Sequence, residues 1–316
     1  MVLRIRIDKT VKSGSRAIKR NCNLNCIWCH SDYFEHTGFT AITNLEIIRM
    51  VQRVILVSGA KIVHVRIAGA GDPTLVGEHE LSDLTRRLKG LPQVKKVKLT
   101  TNGVKLAGMA EELRKSGMDG ISISLNSTDR TRFRQYSQRD ELDAVLKGIY
   151  VIHETGMQVK INSVYSKINE DELNSYERLS IQYGGIPIKF FDLIPTASTL
   201  KYYLPLTQLE EKIQIICATY SERILPYPCR TYYLDSGAVF EVKIAGRNNT
   251  CPNMSCSYRD ICLEGCRHSV RIGLDGNLRP CGVRDDNIVN LLSPVISDEV
   301  IWDSLHSGGK IDYQAI

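Results

Sequence analysis

The 316-residue sequence lacks any run approaching the roughly 18–20 consecutive apolar residues of a membrane-spanning helix, and it lacks low-complexity tracts and sequence repeats beyond an alternation of short elements. Its first stretch, "MVLRIRIDKTVKSGSRAIKR", alternates charged and apolar residues and has neither the uninterrupted apolar core nor the small-residue cleavage site of a secretory leader. These absences argue against membrane insertion and export, and a cytoplasmic location is expected. An excess of one charge is also nearly lacking: the net charge of +6 is too mild to call for nucleic acid, and it fits an anionic substrate such as a phosphate or, equally, a solvated surface. Hydrophobic content of 43% and charged content of 24% exclude disordered and collagen-like chains. A chain this long buries a core without staples, so its ten cysteines, in a reducing compartment, point to metal or redox chemistry before disulfides.

What is present is an alternation of strand-like and helix-like segments. "KIVHVRIA" (61–68), "KVKLTTN" (96–102), "GISISLNS" (120–127), "VKINSVYS" (159–166) and "PIKFFDLI" (187–194) are apolar, β-branched strands, and a further strand precedes Cys22. Between them, 43–59, 107–117, 141–156 and 169–185 read as amphipathic helices, several opened by Thr or Asn and closed by glycine. Strand–helix repetition implies parallel strands with right-handed crossovers, and about six such units give an α/β fold, a partial (β/α)6 TIM-like barrel. Ligands gather at the carboxyl ends of such strands. The pattern changes after residue 205. A helix-like "LTQLEEKIQIICATYSERI" leads into a turn-rich region, and seven of the ten cysteines fall here. Two units are therefore expected, 1–205 and 206–316, the second containing a hairpin turning at Asp275-Gly276. Cys217 reads as a small buried hydrophobe in a helical run, while Cys229 is left undecided.

In "KRNCNLNCIWCHSD", Cys22, Cys26 and Cys29 form a CxxxCxxC array without a fourth thiol. Three thiolates suit a soft metal or an iron–sulfur cluster, whereas a closed zinc site wants four ligands. A cubane on three cysteines leaves one iron open to a substrate or cofactor. The array resembles the hallmark of the radical S-adenosylmethionine enzymes. "GAGDPT" (69–74) resembles that family's Gly-Gly-Glu-Pro segment, with Asp72 for Glu and Ala70 for the first Gly, and "LTTNG" (99–103) and "SISLNS" (122–127) resemble its next two strand ends. The resemblance implies that S-adenosylmethionine chelates the open iron of a 4Fe–4S cluster and that a 5'-deoxyadenosyl radical takes a hydrogen atom from the substrate. It also implies that Gly71 and Asp72 meet the methionine amino group, Ser124 its carboxylate, and Trp28 and Ile194 the adenine, with Thr101, Asn102 and Asn126 at the neighbouring strand ends. Without the family, Gly71 and Pro73 simply shape a turn, Trp28 packs, and Ser124 caps a helix.

"CLEGCRHSVRIGLDGNLRPC" places Cys262, Cys266 and Cys281 around the hairpin. It resembles the auxiliary-cluster module called a twitch domain, known in the GTP 3',8-cyclase family, and implies a second 4Fe–4S cluster, with Cys251 and Cys256 nearby; the alternative is a structural zinc knot. "VKINSVYSKINEDE" resembles the cyclase strand whose lysine meets the triphosphate, here Lys160. A lysine in a barrel mouth is costly unless it meets an anion. Three departures stand beside this likeness. Ser15 replaces an arginine, with Arg16 next to it; of two hairpin arginines only Arg271 has a clear counterpart, with Arg267 nearby; and the family's terminal Gly-Gly gives way to "GGKIDYQAI". The expected function is radical chemistry on a small anionic substrate, a nucleotide or nucleoside derivative, oriented by Lys160, Arg267 and Arg271. The reductant would be a donor such as flavodoxin or ferredoxin. GTP cyclisation, peptide modification and, outside enzymes, an electron carrier or zinc-binding RNA-interaction protein are the alternatives. For a general base, His30, His64 and His268 are candidates by location alone.

Overall fold

Charged and apolar residues alternate along β1 (Val2–Asp8), which buries Leu3, Ile5 and Ile7 completely and turns Arg4, Arg6 and Asp8 to its other face. The computed structural model describes residues 2–9, 21–29, 42–69, 71–193, 196–223, 229–243, 269–280 and 287–306. After β1 come α1 (Asn44–Ser58), β2 (Ile62–Ala68), α2 (Glu78–Lys89), β3 (Val94–Thr101), α3 (Ala110–Lys115), β4 (Gly120–Ser124), α4 (Arg130–Ser137), α5 (Leu142–Glu154), β5 (Gln158–Tyr165), α6 (Leu173–Gln182) and β6 (Ile188–Asp192). The expected strands and helices are all present. α6 is shorter than the segment 169–185 because Asn169 is drawn into a turn instead, its Oδ1 accepting from Ser166 N–H (2.9 Å) and its Nδ2 donating to Asn126 O (2.8 Å).

β1 to β6 are parallel and stand in sequential order. This is the partial (β/α)6 barrel, and right-handed crossovers put its helices on one face. That face is the core: Leu3, Ile5, Ile7, Val65, Ile67, Leu99, Ile123, Ile161 and Ile188 pack with Ile47, Val51 and Val54 of α1 and Val145, Ile149 and Ile152 of α5, all but shut off from solvent. α1 starts on a capping box, in which Glu46 N–H donates to Thr43 Oγ1 (3.2 Å) and Thr43 N–H to Glu46 Oε2 (2.8 Å), and ends at Gly59 with φ 65°.

Beyond the barrel lie α7 (Leu206–Ile216), β7 (Cys217–Arg223), β8 (Cys229–Leu234), β9 (Val239–Lys243), β10 (Ser269–Ile272), β11 (Asn277–Arg279), β12 (Val289–Asn290) and α8 (Asp298–His306). The helix-like segment after residue 205 is thus corrected. Helix gives way to strand at Cys217, whose ψ of 136° is extended, because 217–223 pairs antiparallel with β8. Cys217 is half-buried at that junction, its thiol donating to Gln214 O at 3.6 Å, and is not the buried helical residue expected. The Asp275-Gly276 hairpin is present as β10–β11, with Gly276 at φ 73°. These strands lengthen the barrel sheet at both ends: β9, β8 and β7 follow β6, while β10, β11 and β12 follow β1, to which β10 is parallel. Among the described residues no helix is long and apolar enough to cross a membrane.

Candidate active site

Residues 21–29 are tied by main-chain bonds to the end of α4 and to the segment that follows β2. Asn25 and Ile27 N–H donate to Ser137 O (2.8 Å) and Tyr136 O (2.9 Å) at the end of α4, Asp72 N–H donates to Asn21 O (3.0 Å), and Cys29 N–H closes a turn on Cys26 O (3.1 Å). Trp28 stacks on Tyr136 with centroids 5.6 Å apart and meets Tyr202 edge-on. Cys22, Cys26 and Cys29 form no disulfide and are half-buried. Burial pushes the Cys22 thiol up; Leu24 N–H (3.5 Å) and Asn102 Nδ2 (3.4 Å), which both donate to its sulfur, work the other way, while Asp72 and Cys29 add to the rise. Among the described residues no three His, Cys, Asp or Glu side chains already stand gathered as a chelate. The donor set nonetheless fits an iron–sulfur group: three thiols in one short loop, with N–H donors turned on a sulfur. Asn23 Nδ2, in the same loop, is buried and has no hydrogen-bond partner among the described residues. Such a donor costs about 1–3 kcal/mol until an acceptor arrives.

The Asp72 carboxylate, expected at a methionine amino group, is filled from within the chain. It accepts from Thr74 N–H (3.0 Å), the Thr74 hydroxyl, Thr101 Oγ1 (2.8 and 2.9 Å) and Asn102 N–H (2.6 Å), and only 2% of the residue is exposed. It therefore knots the ends of β2 and β3, and Thr101 and Asn102 belong to the same knot. Gly71 is half-buried beside it, and Pro73 opens a 3₁₀ turn capped by Asp72. Asn126 knots the next pair of strands, its Oδ1 accepting from Val164 N–H at 2.8 Å. Ser124, half-exposed at the end of β4, lies in register with Asn162 of β5 and has no such commitment among the described contacts.

The face away from the helices is polar and mostly cationic. Register carries Lys98, Arg66, Arg6, Arg271 and Arg279 in one row across β3, β2, β1, β10 and β11. Arg4, His64 and Lys96 form a second, shorter row. Lys160 and Lys189 stand on this face further round, on β5 and β6. Like charges opposite one another on a sheet are destabilising. Part of the row is offset by neighbours: Arg6 meets Asp8 (3.3 Å), Arg279 pairs with Asp275, Arg66 donates to Thr100 and Ser122 hydroxyls (2.9 and 3.0 Å), and Lys98 donates to Gln158 Oε1 (2.8 Å). Burial lowers Lys98, and Arg66, Lys96 and Lys160 lower it further; burial with Arg4, Lys96 and Lys98 likewise lowers His64. His64 thus lies on the polar face and is held towards its neutral form.

Lys160 does not stand alone there. It forms an ion pair with Glu241 of β9, and Lys189 reaches the same carboxylate at 3.8 Å. Burial works to raise Glu241, but the two lysines outweigh it and hold the carboxyl below the usual range. Cys229 is buried, with its thiol 3.9 Å from Glu241 Oε2. Ile194, Arg267, Cys262, Cys266 and Cys281, with Cys251, Cys256, His30 and His268, lie outside the described residues. Sequence reasoning missed Arg6, Arg66, Lys98, Lys189, Glu241 and Arg279. The available signal was the alternate-position charge in "RIRID", "VHVRI" and "VKKVKL", which puts cations on one face of consecutive strands.

A family model described as the Radical SAM superfamily matches residues 18–179. A probable GTP 3',8-cyclase of Pyrococcus abyssi is 29% identical over 299 residues, covering 92% of this chain and 90% of that protein. One from Methanocella arvoryzae is 31% identical over 293 residues, covering 90% and 85%. Among solved structures, Streptococcus suis SuiB bound to S-adenosylmethionine aligns with a TM-score of 0.68 at 17% identity, over 97% of this chain and 67% of that one. Native anSMEcpe with bound AdoMet and a Kp18Cys peptide gives 0.66 at 14%, over 98% and 84%. These two structural likenesses show the fold.

Proposed function

The chain belongs to the radical S-adenosylmethionine superfamily, and on that premise we propose that it acts on a nucleoside triphosphate, GTP foremost, held by its phosphates against the cationic face of the barrel. The observation that carries the reading is the row Lys98–Arg66–Arg6–Arg271–Arg279. Five cations in register across five strands are sustained most readily by a ligand that brings several negative charges, and guanidinium groups grip phosphate oxygens in pairs. The identity of 29% and 31% to proteins named GTP 3',8-cyclase, over about nine-tenths of this chain, supports the same choice. The peptide-bound neighbour shares the fold, whereas the cationic face favours a compact polyanion.

Cys22, Cys26 and Cys29 would hold the 4Fe–4S cluster, which with S-adenosylmethionine supplies a 5'-deoxyadenosyl radical that removes a hydrogen atom from the substrate. The chain's own residues position and enclose. Gly71 and Ser124 would meet the methionine end, and Trp28 and Ile194 the adenine; Asp72, Thr101 and Asn126 keep the strand ends in place. Lys160 and Lys189, with Glu241 as their internal anion, would exchange it for phosphate when substrate enters, while Arg66, Lys98, Arg271 and Arg267 orient the rest of the chain of phosphates. Residues from 206 onward would cover the barrel and carry a second cluster on Cys262, Cys266 and Cys281, and a flavodoxin- or ferredoxin-type donor in the cytoplasm would supply the electron.

The test is anaerobic reconstitution followed by reduction with S-adenosylmethionine present, measuring 5'-deoxyadenosine with GTP, other nucleoside triphosphates, guanosine and an acidic peptide. Stimulation by a triphosphate and not by guanosine is expected. Stimulation by the peptide alone would overturn the substrate reading, and no 5'-deoxyadenosine from cluster-loaded protein would overturn the assignment of this chemistry to the array.

A further inference from the structure

We propose that Asn102 and Asn23 form an amide pair that donates hydrogen bonds to the sulfur shell of the cluster at Cys22 and raises its reduction potential. The inference rests on the radical reading above but concerns residues to which that reading gives no role at the cluster. Its starting point is the Asn102 side chain, whose orientation is fixed. Asn102 Oδ1 accepts from Val104 N–H (3.1 Å), so Nδ2 must face the other way, where it donates to Cys22 Sγ (3.4 Å) and to Asn23 Oδ1 (2.7 Å). The second bond fixes Asn23 in turn. With its oxygen committed to Asn102, Asn23 Nδ2 is left as a buried donor that nothing among the described residues accepts from. Both residues are therefore oriented by protein contacts, and one is left incomplete beside the first cysteine.

The main chain at Asn102 is itself anchored. Its N–H donates to Asp72 Oδ2 (2.6 Å), and the Asp72 N–H donates to Asn21 O (3.0 Å), so the strand end that presents the amide and the loop that presents Cys22 are joined by a second route. A buried donor is satisfied only by an acceptor, and a sulfur-rich group on Cys22, Cys26 and Cys29 brings acceptors into that loop. An N–H donor to a cluster or cysteinyl sulfur favours the reduced, more electron-rich state, so each such bond moves the potential upward.

The experiment is a redox titration followed by electron paramagnetic resonance on the reconstituted full chain without substrate, with iron and sulfide counted for each preparation. Asn102→Leu and Asn23→Ala should each load a full cluster and lower its midpoint potential, and Asn102→Asp, which exchanges donor for acceptor, should lower it further than Leu. Asn23→Ala leaves every strand residue untouched, so it decides the matter if the Asn102 variants fail to load. Full loading with an unchanged midpoint in Asn23→Ala and in whichever Asn102 variants load would overturn the proposal and leave the radical reading standing. A wild-type chain that takes up no iron would overturn both.

Discussion

At the scale of single residues, the Asp72 carboxylate has the clearest energetic role. It is buried and its acceptor sites are taken by hydroxyl and main-chain donors from two strand ends. Asp72→Ala should therefore lower unfolding stability by about 3 kcal/mol, since buried donors lose a charged acceptor, and urea denaturation of the apo protein would measure it. Glu241 makes a prediction with a sign. Its carboxyl is held below the usual range by Lys160 and Lys189 against the opposing effect of burial. The stabilisation it provides is thus complete above the ordinary glutamate value of about 4.3 and is lost as pH falls through the lowered folded value. Glu241→Gln should be less stable than wild type near neutral pH, and the gap should close under acid; a gap that persists at low pH would show that the ion pair is not its source. The CxxxCxxC spacing of Cys22, Cys26 and Cys29 was legible in the sequence, together with the strand ends that resemble those of one family. The commitment of Asp72 to structure was not, since Thr101 and Asn102 approach it only once β2 and β3 lie side by side.

Among the elements, α1 shows local chemistry agreeing with its final place: an apolar stripe for the core, a capping box at Thr43 and Glu46, and a left-handed glycine at the end. Thr43→Ala should cost about 1 kcal/mol, read as a shift of the denaturation midpoint with unchanged cooperativity. The six strands and the hairpin at Asp275-Gly276 were readable for the same reason, since period, caps and turn residues all point one way. The α7–β7 junction was not. "IQIICATY" gives no break in apolar pattern between Ile216 and Cys217, and what turns one into strand is the ladder with β8, formed by residues from 229 to 234. Tertiary pairing decides there, as it often does for short apolar runs.

At the scale of the whole molecule, alternate charge marks the cations of a single strand, but their alignment into one row depends on the register of strands from both ends of the described chain. A molecule that gathers charge in this way should be stabilised by a polyanion well beyond general screening. Inorganic tripolyphosphate at a hundred times its dissociation constant is expected to add about 2.7 kcal/mol to the apo protein, whereas sodium chloride at matched ionic strength adds far less. Equal effects of the two salts in thermal unfolding would mean that the row is only a screened surface. The parallel pairing of β1 with β10 has a different consequence, in the order of synthesis. Arg4 to Ile7 must wait for Ser269 to Ile272 before the outer side of β1 is covered. Until the ribosome has delivered those residues, the growing barrel presents an open strand edge to its neighbours. A strand made long after β1 is therefore what protects β1 from aggregation, and slow or interrupted translation before β10 should increase the chain's demand for chaperones.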